Sequence, residues 1–351
     1  MNKSQKEKTT DQGMRLTPVG RTDATVIVPV FNAGLDIERC LAALAQSTYK
    51  QFEVLVVDDG STEPIKPLVE RFGYQYLRID GPGGPARARN LGVRQTESEF
   101  IIFIDADVCV HPETIDRIIQ NFSGDHELAA VIGTYDDAPV DPDFLSQYRN
   151  LFHHYTHCKS AGQVTTFWSG CGAMRREVFI KYGGFDEQRY RYPAIEDIEL
   201  GTWIAADGGR IVLDQTIQCK HLKHWSFSNM VKTDICRRGI PWIDLMLRSN
   251  KTNKTLNVTG SQRLSVGLVF TACALVVLAI WWPLVLIGTA AVIVAVILVN
   301  IELYRFFASR RGLWFATKSV LLHWLYFCCC GISVIAGTIR FYASGRRAMN
   351  R

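Results

Sequence analysis

Glu99-Phe100-Ile101-Ile102-Phe103-Ile104-Asp105-Ala106-Asp107 is an apolar run that stops abruptly at two carboxylates one residue apart. A short continuous apolar stretch of this kind reads as a strand buried on both faces. In α/β folds such strands deliver ligand-binding groups at their carboxyl ends. Alternate residues of an extended chain share a face, so Asp105 and Asp107 can lean toward one hard cation. Side by side they repel unless a cation or a guanidinium stands near. The pattern therefore calls for Mg2+ or Mn2+ bridging a diphosphate. A D-x-D alone is a weak signal, and the buried run before it gives it weight.

The same rhythm continues on both sides of this run. Residues 25–30 form an apolar strand, and 36–46 a helix with Ile37, Leu41 and Leu44 on one side. A second strand over 52–57 ends in Asp58-Asp59-Gly60-Ser61, a helix follows over 64–72, and a strand over 74–79. A glycine-rich turn then opens a helix over 85–95. Strands alternating with helices predict an α/β fold: a Rossmann-like, mostly parallel, doubly wound sheet flanked by helices. Beyond residue 141 the pattern becomes mixed, with a Tyr/His-rich helix (144–158), a Gly-rich turn, helices over 175–181 and 195–206, and short strands near Ile211 and Ile217.

Charge concentrates before Arg263 and apolar residues after it, within a 351-residue chain that is 48% hydrophobic and 21% charged. The net charge of +5 is too small to mark a nucleic-acid binder, and no aromatic–basic interleaving supports one. Basic clusters beside hydrophobic stretches suit an anionic membrane surface. The ten cysteines follow neither a metal nor a disulfide spacing and read as reduced thiols. Residues 1–22 read as a disordered polar tail.

Residues 226–262 read as an amphipathic helix and linker, either lying in the membrane interface or packing on the domain before it. Residues 263–340 form a transmembrane region. Within it 264–301 is a helical hairpin turning at Trp281-Trp282-Pro283, and 313–339 is a third apolar segment, followed by a tail over 341–351. With the first domain cytosolic, Arg305, Arg310 and Arg311 obey the positive-inside rule. A third full crossing would place Arg346, Arg347 and Arg351 outside, so that segment is either re-entrant or followed by a tail short enough to translocate.

Taken in order, the motifs over 24–221 resemble the family 2 glycosyltransferases, inverting enzymes of GT-A fold, and the domain is bounded at 23–225. Val28-Pro29-Val30-Phe31-Asn32 resembles the family's opening strand, and the resemblance puts Pro29, Val30, Phe31 and Asn32 against the nucleotide. It likewise assigns Asp58 and Asp59 to base and ribose; a carboxylate can accept the imide N–H of uracil. Gly81-Pro82-Gly83-Gly84-Pro85-Ala86-Arg87-Ala88-Arg89-Asn90 resembles the family's glycine-plus-A-R-N segment. Gly84 would let the backbone approach a diphosphate. Arg89 and Asn90 would hold the acids and the sugar phosphate, and Arg87 is either a phosphate contact or a solvated helix residue.

Asp105, Ala106 and Asp107 match the family's D-x-D. Trp168, Ser169, Gly170, Cys171 and Gly172 resemble the segment closing the acceptor side, and Glu196-Asp197 the catalytic acidic pair, with Asp197 as base. In His221-Leu222-Lys223-His224-Trp225 the resemblance offers His221 to the metal, Lys223 to a phosphate and Trp225 to the acceptor side. Arg237-Arg238-Gly239-Ile240-Pro241-Trp242 matches the Q-x-x-R-W of processive members poorly, which argues against polymerisation. His153, His154, His157 and Cys158 lack acidic partners in sequence and read as a surface or acceptor-facing helix rather than a metal cluster.

The expectation is an integral-membrane enzyme of the inner or plasma membrane with its catalytic domain cytoplasmic. It would move a sugar from a UDP-sugar to a lipid-linked or membrane-associated hydroxyl. A polyprenyl-phosphate glycosyltransferase, and a catalytically silent nucleotide-sugar-binding scaffold, are the alternatives.

Overall fold

Nine strands and thirteen α-helices are present in a computed structural model that describes residues 22–249 and 259–344. The N-terminal tail up to residue 21, the linker over 250–258 and the basic tail from 345 lie outside the described residues. The strands are β1 (Ala24–Val30), β2 (Phe52–Asp58), β3 (Gln75–Arg78), β4 (Phe100–Ile104), β5 (Val108–Val110), β6 (Leu128–Tyr135), β7 (Gly162–Val164), β8 (Cys171–Arg175) and β9 (Arg210–His221). Helices α1 (Asp36–Ala45), α2 (Lys66–Arg71), α3 (Pro85–Arg94), α4 (Thr114–Gly124), α5 (Phe144–Lys159), α6 (Arg176–Lys181) and α7 (Glu196–Ala206) connect them.

All nine strands join one sheet in the order β3-β2-β1-β4-β8-β6-β9-β5, with β7 on β9. The half β3-β2-β1-β4 is parallel, as alternating strands and helices predict. Past β4 the sheet becomes mixed: β8 runs antiparallel to both β4 and β6, while β6 and β9 are parallel. Every residue of β4 is buried, as its unbroken apolar run requires. Two apolar layers cover the sheet, one containing Val28, Leu41 and Ile102, the other Ile27, Phe103 and Phe179.

The mixed half decides what meets at the sheet edge. Because β8 is antiparallel, its first residue Cys171 pairs with Ile104, the last of β4. The Trp168–Gly170 segment therefore arrives beside Asp105. In the same way Val108 pairs with His221, and Tyr135 with Cys219.

Residues 226–249 form three pieces instead of one helix: α8 (Phe227–Lys232), a π-helical turn (Thr233–Gly239) and α9 (Ile240–Ser249). Pro241, which has no N–H to donate back along the helix, follows the widened turn. After these come α10 (Gly260–Leu278), α11 (Val285–Val299), α12 (Ile301–Arg311) and α13 (Leu313–Ala343). The hairpin forms: Val269 and Val296 share a cluster, Asn300 Nδ2 donates to Ser265 Oγ at 2.9 Å, and Trp281 and Trp282 stand exposed at the turn. Among the described residues α10 and α13 are long and apolar enough to cross a membrane. A third span is formed if α11 and α12, bent by 65°, count as one.

Candidate active site

The end of β4 and the start of α7 converge on one guanidinium. Arg89, buried on α3, donates from Nη2 to Oδ1 of Asp105 at 2.6 Å and from Nη1 to Oε1 of Glu196 at 3.0 Å. The acid at the end of β4 and the acid at the start of α7 thus share one cation. Glu196 is held further by the Ala194 N–H at 3.0 Å, and acids in the first turn suit the positive end of a helix.

Asp197, the next residue, points to the opposite side. Its Oδ2 accepts from both N–H and Oγ of Ser169 at 2.9 Å, and Oδ1 accepts from the Ile198 N–H at 2.8 Å. The Ser169 loop is fixed to the sheet by Asp105 N–H, which donates to the Gly170 carbonyl at 3.2 Å. Trp168 flanks this loop. Cys171 and Gly172 are buried strand residues paired with Ile104 and Phe103, so they support the loop from within the sheet.

On the other flank, Nε2 of His221 lies 3.7 Å from Oδ2 of Asp107. Burial pushes the Asp107 carboxyl up, but His221 and Lys223 more than offset this and bring it down to about 2. His221 stacks on Tyr135 with ring centroids 4.1 Å apart, and Trp168 meets Tyr135 edge-on at 4.9 Å. Tyr135 escaped the sequence analysis although it ends an apolar run, Leu128 to Tyr135, of the same type as β4.

Asp105 keeps Oδ2 without a hydrogen bond among the described residues, and the Asp107 carboxylate meets His221 and its own N–H. Two carboxylate oxygens with an imidazole alongside are a donor set suited to Mg2+ or Mn2+. Among the described residues, three ligand atoms lie mutually within 4.8 Å at Asp141, Asp143 and His224, where His224 already contacts Asp141 at 2.7 Å.

The nucleotide side is more self-contained than the sequence suggests. Asp58 is fully buried; it accepts from Tyr76 and Arg78 at 2.7 Å and from the Ser61 N–H at 2.8 Å. Its oxygens are thus taken up inside the wall, and Arg78 and the exposed ring of Phe31 are what face outward. Asn32, at φ 51°, accepts from Thr62 N–H at 2.9 Å and ties β1 to the Ser61 turn, while Pro29 and Val30 pair with Val57 and Asp58.

Asp59 draws in the glycine turn: the N–H groups of Gly83 and Gly84 donate to it at 2.9 and 2.7 Å. Those amides are occupied by a carboxylate, which leaves Arg87, stacked over Gly83 and close to Asp59, as the cation at this turn. Gly84 itself has φ 90°, and a Cβ there would lie 2.5 Å from the Arg191 carbonyl oxygen. Asn90 is a bracket, with Nδ2 donating to Phe185 O at 2.8 Å and Oδ1 accepting from Phe185 N–H at 2.9 Å. Both ends of its amide are used in tying α3 to the Gly183-Gly184-Phe185 turn. Ala106 is buried between the two acids.

Trp225 lies away from the acids, buried with Tyr148, Leu151 and Leu303 and capped by Arg149 at 5.3 Å and Lys223 at 4.8 Å. The histidines of α5 are not on the surface. His154 and His157 are buried, with Nδ1 atoms 2.6 and 3.0 Å from the carbonyls of Tyr135 and Gly133, so they dock α5 on β6. His153 lies between Tyr135 and Trp168, its ring tilted against both with centroids 4.4 and 4.8 Å away.

Residues 25–183 match the sequence profile of Glycosyl transferase family 2. An uncharacterized glycosyltransferase of Haemophilus influenzae is 29% identical over 174 residues, 46% of this chain and 55% of that protein. Glycosyltransferase AglE of Haloferax volcanii is 36% identical over 107 residues, 28% of this chain and 35% of that protein. The chain spans about half or less of the length of these curated relatives. A mannosyltransferase from Pyrobaculum calidifontis, solved with GDP-Man and Mn2+, superposes with a TM-score of 0.53 at 18% identity, over 90% of this chain and 88% of that one. That is a likeness of fold.

Proposed function

We propose, from the premise that residues 25–183 are a family 2 glycosyltransferase domain of GT-A type, that this chain moves a sugar with inversion from a nucleotide-sugar donor, a UDP-sugar, to a hydroxyl of a membrane-associated acceptor. The observation that carries this is the Asp105–Arg89–Glu196 bridge with Asp197 next in sequence, since it unites acids more than ninety residues apart on one guanidinium.

Asp105 and Asp107, with His221 alongside, would hold Mg2+ or Mn2+, which when bound offsets charge on the leaving diphosphate. Arg87 and Arg89 add fixed positive charge on the same side. Asp197 is oriented by Ser169 to take the proton of the acceptor hydroxyl. As that oxygen bonds to the anomeric carbon, the bond from this carbon to the diphosphate oxygen breaks, and the nucleotide diphosphate leaves with its electron pair. Base assistance of this kind contributes roughly a hundred- to ten-thousand-fold. The apolar helices support an acceptor drawn from a membrane, and the sheet domain is assigned to the cytosolic face because Arg305, Arg310 and Arg311 would then obey the positive-inside rule.

The test is turnover of a nucleotide-sugar panel by the full chain in detergent, with a membrane lipid extract as acceptor. Asp197→Asn is expected to lose most transfer while binding donor as the parent does. Undiminished transfer by that variant overturns the assignment, and preference for GDP or CMP donors overturns the choice of UDP.

A further inference from the structure

Between α12 and the sheet domain lies an open cavity of about 710 Å³. Small-molecule sites typically enclose about 300–1,000 Å³. Its lining brings together Arg117 of α4, Lys159 of α5 and Arg310 of α12, with Asp137 as the one acid among them. Tyr155 and Phe306, their ring centroids 5.3 Å apart, supply an aromatic surface beside these charges. None of Asp105, Asp107, Glu196 and Asp197 lines the cavity. His154 does, and its Nδ1 lies 2.6 Å from the carbonyl of Tyr135, whose ring stacks on His221. The cavity is thus separate from the acid-lined sheet edge and lies behind it.

Three cations against one acid leave the lining positive. Arg310 meets Asp137 at 3.0 Å and Lys159 meets Glu302 at 2.6 Å. These cationic side chains are 49% and 56% exposed, so both pairs are weak and yield readily to a better anion. Arg117 donates from Nη1 to a neutral partner, the Thr216 carbonyl. Asp214 feels its charge, but that carboxylate is engaged by Asn121 Nδ2 and by the Thr216 N–H, both at 2.8 Å. Arg311 Nη2 donates to the Asp137 carbonyl at 2.7 Å and fixes the end of α12 against the sheet domain here. Helix α12 itself continues from apolar α11 across the 65° bend. A cationic pocket at the junction of a polar domain and apolar helices suits an anionic lipid headgroup.

We propose that this cavity is a second binding site, remote from the chemistry, that takes an anionic glycerophosphate, and that the neighbouring helices make a membrane lipid its natural source. The ligand is neither donor nor acceptor. Arg117 and Arg310 come from different elements, and a guanidinium presents paired N–H groups to phosphate oxygens. A headgroup shared by the two would join α12 to α4 and stabilise the seam between the helical part and the sheet.

The full chain in detergent is titrated with short-chain phosphatidylglycerol, short-chain phosphatidylcholine and glycerol phosphate, and binding is read by melting temperature and native mass spectrometry. The parent is expected to bind phosphatidylglycerol roughly tenfold more tightly than the zwitterionic lipid, since several cations attract it. Arg117→Gln and Arg310→Gln should each remove most of that preference. Arg305→Gln, which alters an exposed arginine of α12 outside the lining, should keep it. Binding of glycerol phosphate as tight as that of the lipid, lost in the same two variants, would support the site with a soluble source. A parent without preference, a preference that survives both substitutions, or one equally lost in Arg305→Gln overturns the proposal. Donor affinity without anionic lipid should match the parent in all three variants, so failure here leaves the glycosyltransferase reading standing.

Discussion

Glu199 and Arg248 face each other as a buried two-pronged ion pair, with Nη1 and Nη2 of the arginine each 3.1 Å from the carboxylate. Asp244 accepts from Arg248 Nε at 2.9 Å, and the Tyr190 hydroxyl closes on Glu199. Helix α7, which begins with the acidic pair, is thereby bolted to α9, the last piece of the amphipathic segment. Removing one partner from a buried pair strands the other, so Arg248→Met should cost about 3–5 kcal/mol. Burial raises the Glu199 carboxyl, and Arg248 and Tyr190 more than offset that, leaving it below its ordinary value. The pair's contribution is therefore complete above the unfolded carboxyl value of about 4.3 and is lost as pH falls below it. Denaturation in detergent across that range, parent against variant, measures it.

His157 titrates in a different window. Burial dominates in bringing it down to about 4, Arg238 and His154 adding to this while the Gly133 carbonyl opposes it. The folded chain keeps it neutral, whereas the unfolded chain protonates it below about 6.5. Stability should fall between these values with a slope of up to roughly 1.4 kcal/mol per pH unit. His157→Asn should flatten the melting temperature between about pH 6.5 and 4 relative to the parent.

Chelation should abolish sugar transfer, and Mn2+ or Mg2+ should restore it. Asp107→Asn should raise the metal concentration needed for half-activation. Arg89→Lys keeps the charge but loses the fork joining Asp105 to Glu196, and a drop of about a hundredfold in kcat is expected. An undiminished rate for Arg89→Lys would show that the bridge is not needed for turnover.

Gly84→Ala should destabilise the chain by about 1–3 kcal/mol, since it combines a left-handed backbone with a clash on the Arg191 carbonyl. Donor affinity should fall with it, because Asp59 positions this turn. Equal melting curves for parent and variant would contradict the geometry.

The parallel half of the sheet and its edge of acids were legible because local signals suffice there: unbroken apolar runs, each closed by a polar group. Tyr135 and the antiparallel strands were not. Cys171-Gly172-Ala173-Met174 has no β-branched residue and reads as a turn, and only its pairing with β4 and β6 makes it a strand. Strand β9 reads as two because Asp214 and Gln215 interrupt its apolar pattern, and the register with β6 shifts along it. Asn90 and Asp58 look like ligand contacts by composition, yet partners distant in sequence have claimed their polar atoms.

Helix α13 touches the sheet domain along most of its length. Phe144 meets Phe315 and Phe152 meets His323 and Tyr326 near one end, while Gly239 presses on Ser333 and Ile243 on Gly337 near the other. That clasped stretch rises about 33 Å, as much as a hydrocarbon core is thick. A helix held at both ends by one body keeps a fixed direction relative to the sheet, and α10, whose Phe270 lies against Gly331 of α13, is tied into the same frame. Whatever angle these helices take to a bilayer, the acid-lined edge of the sheet takes it with them.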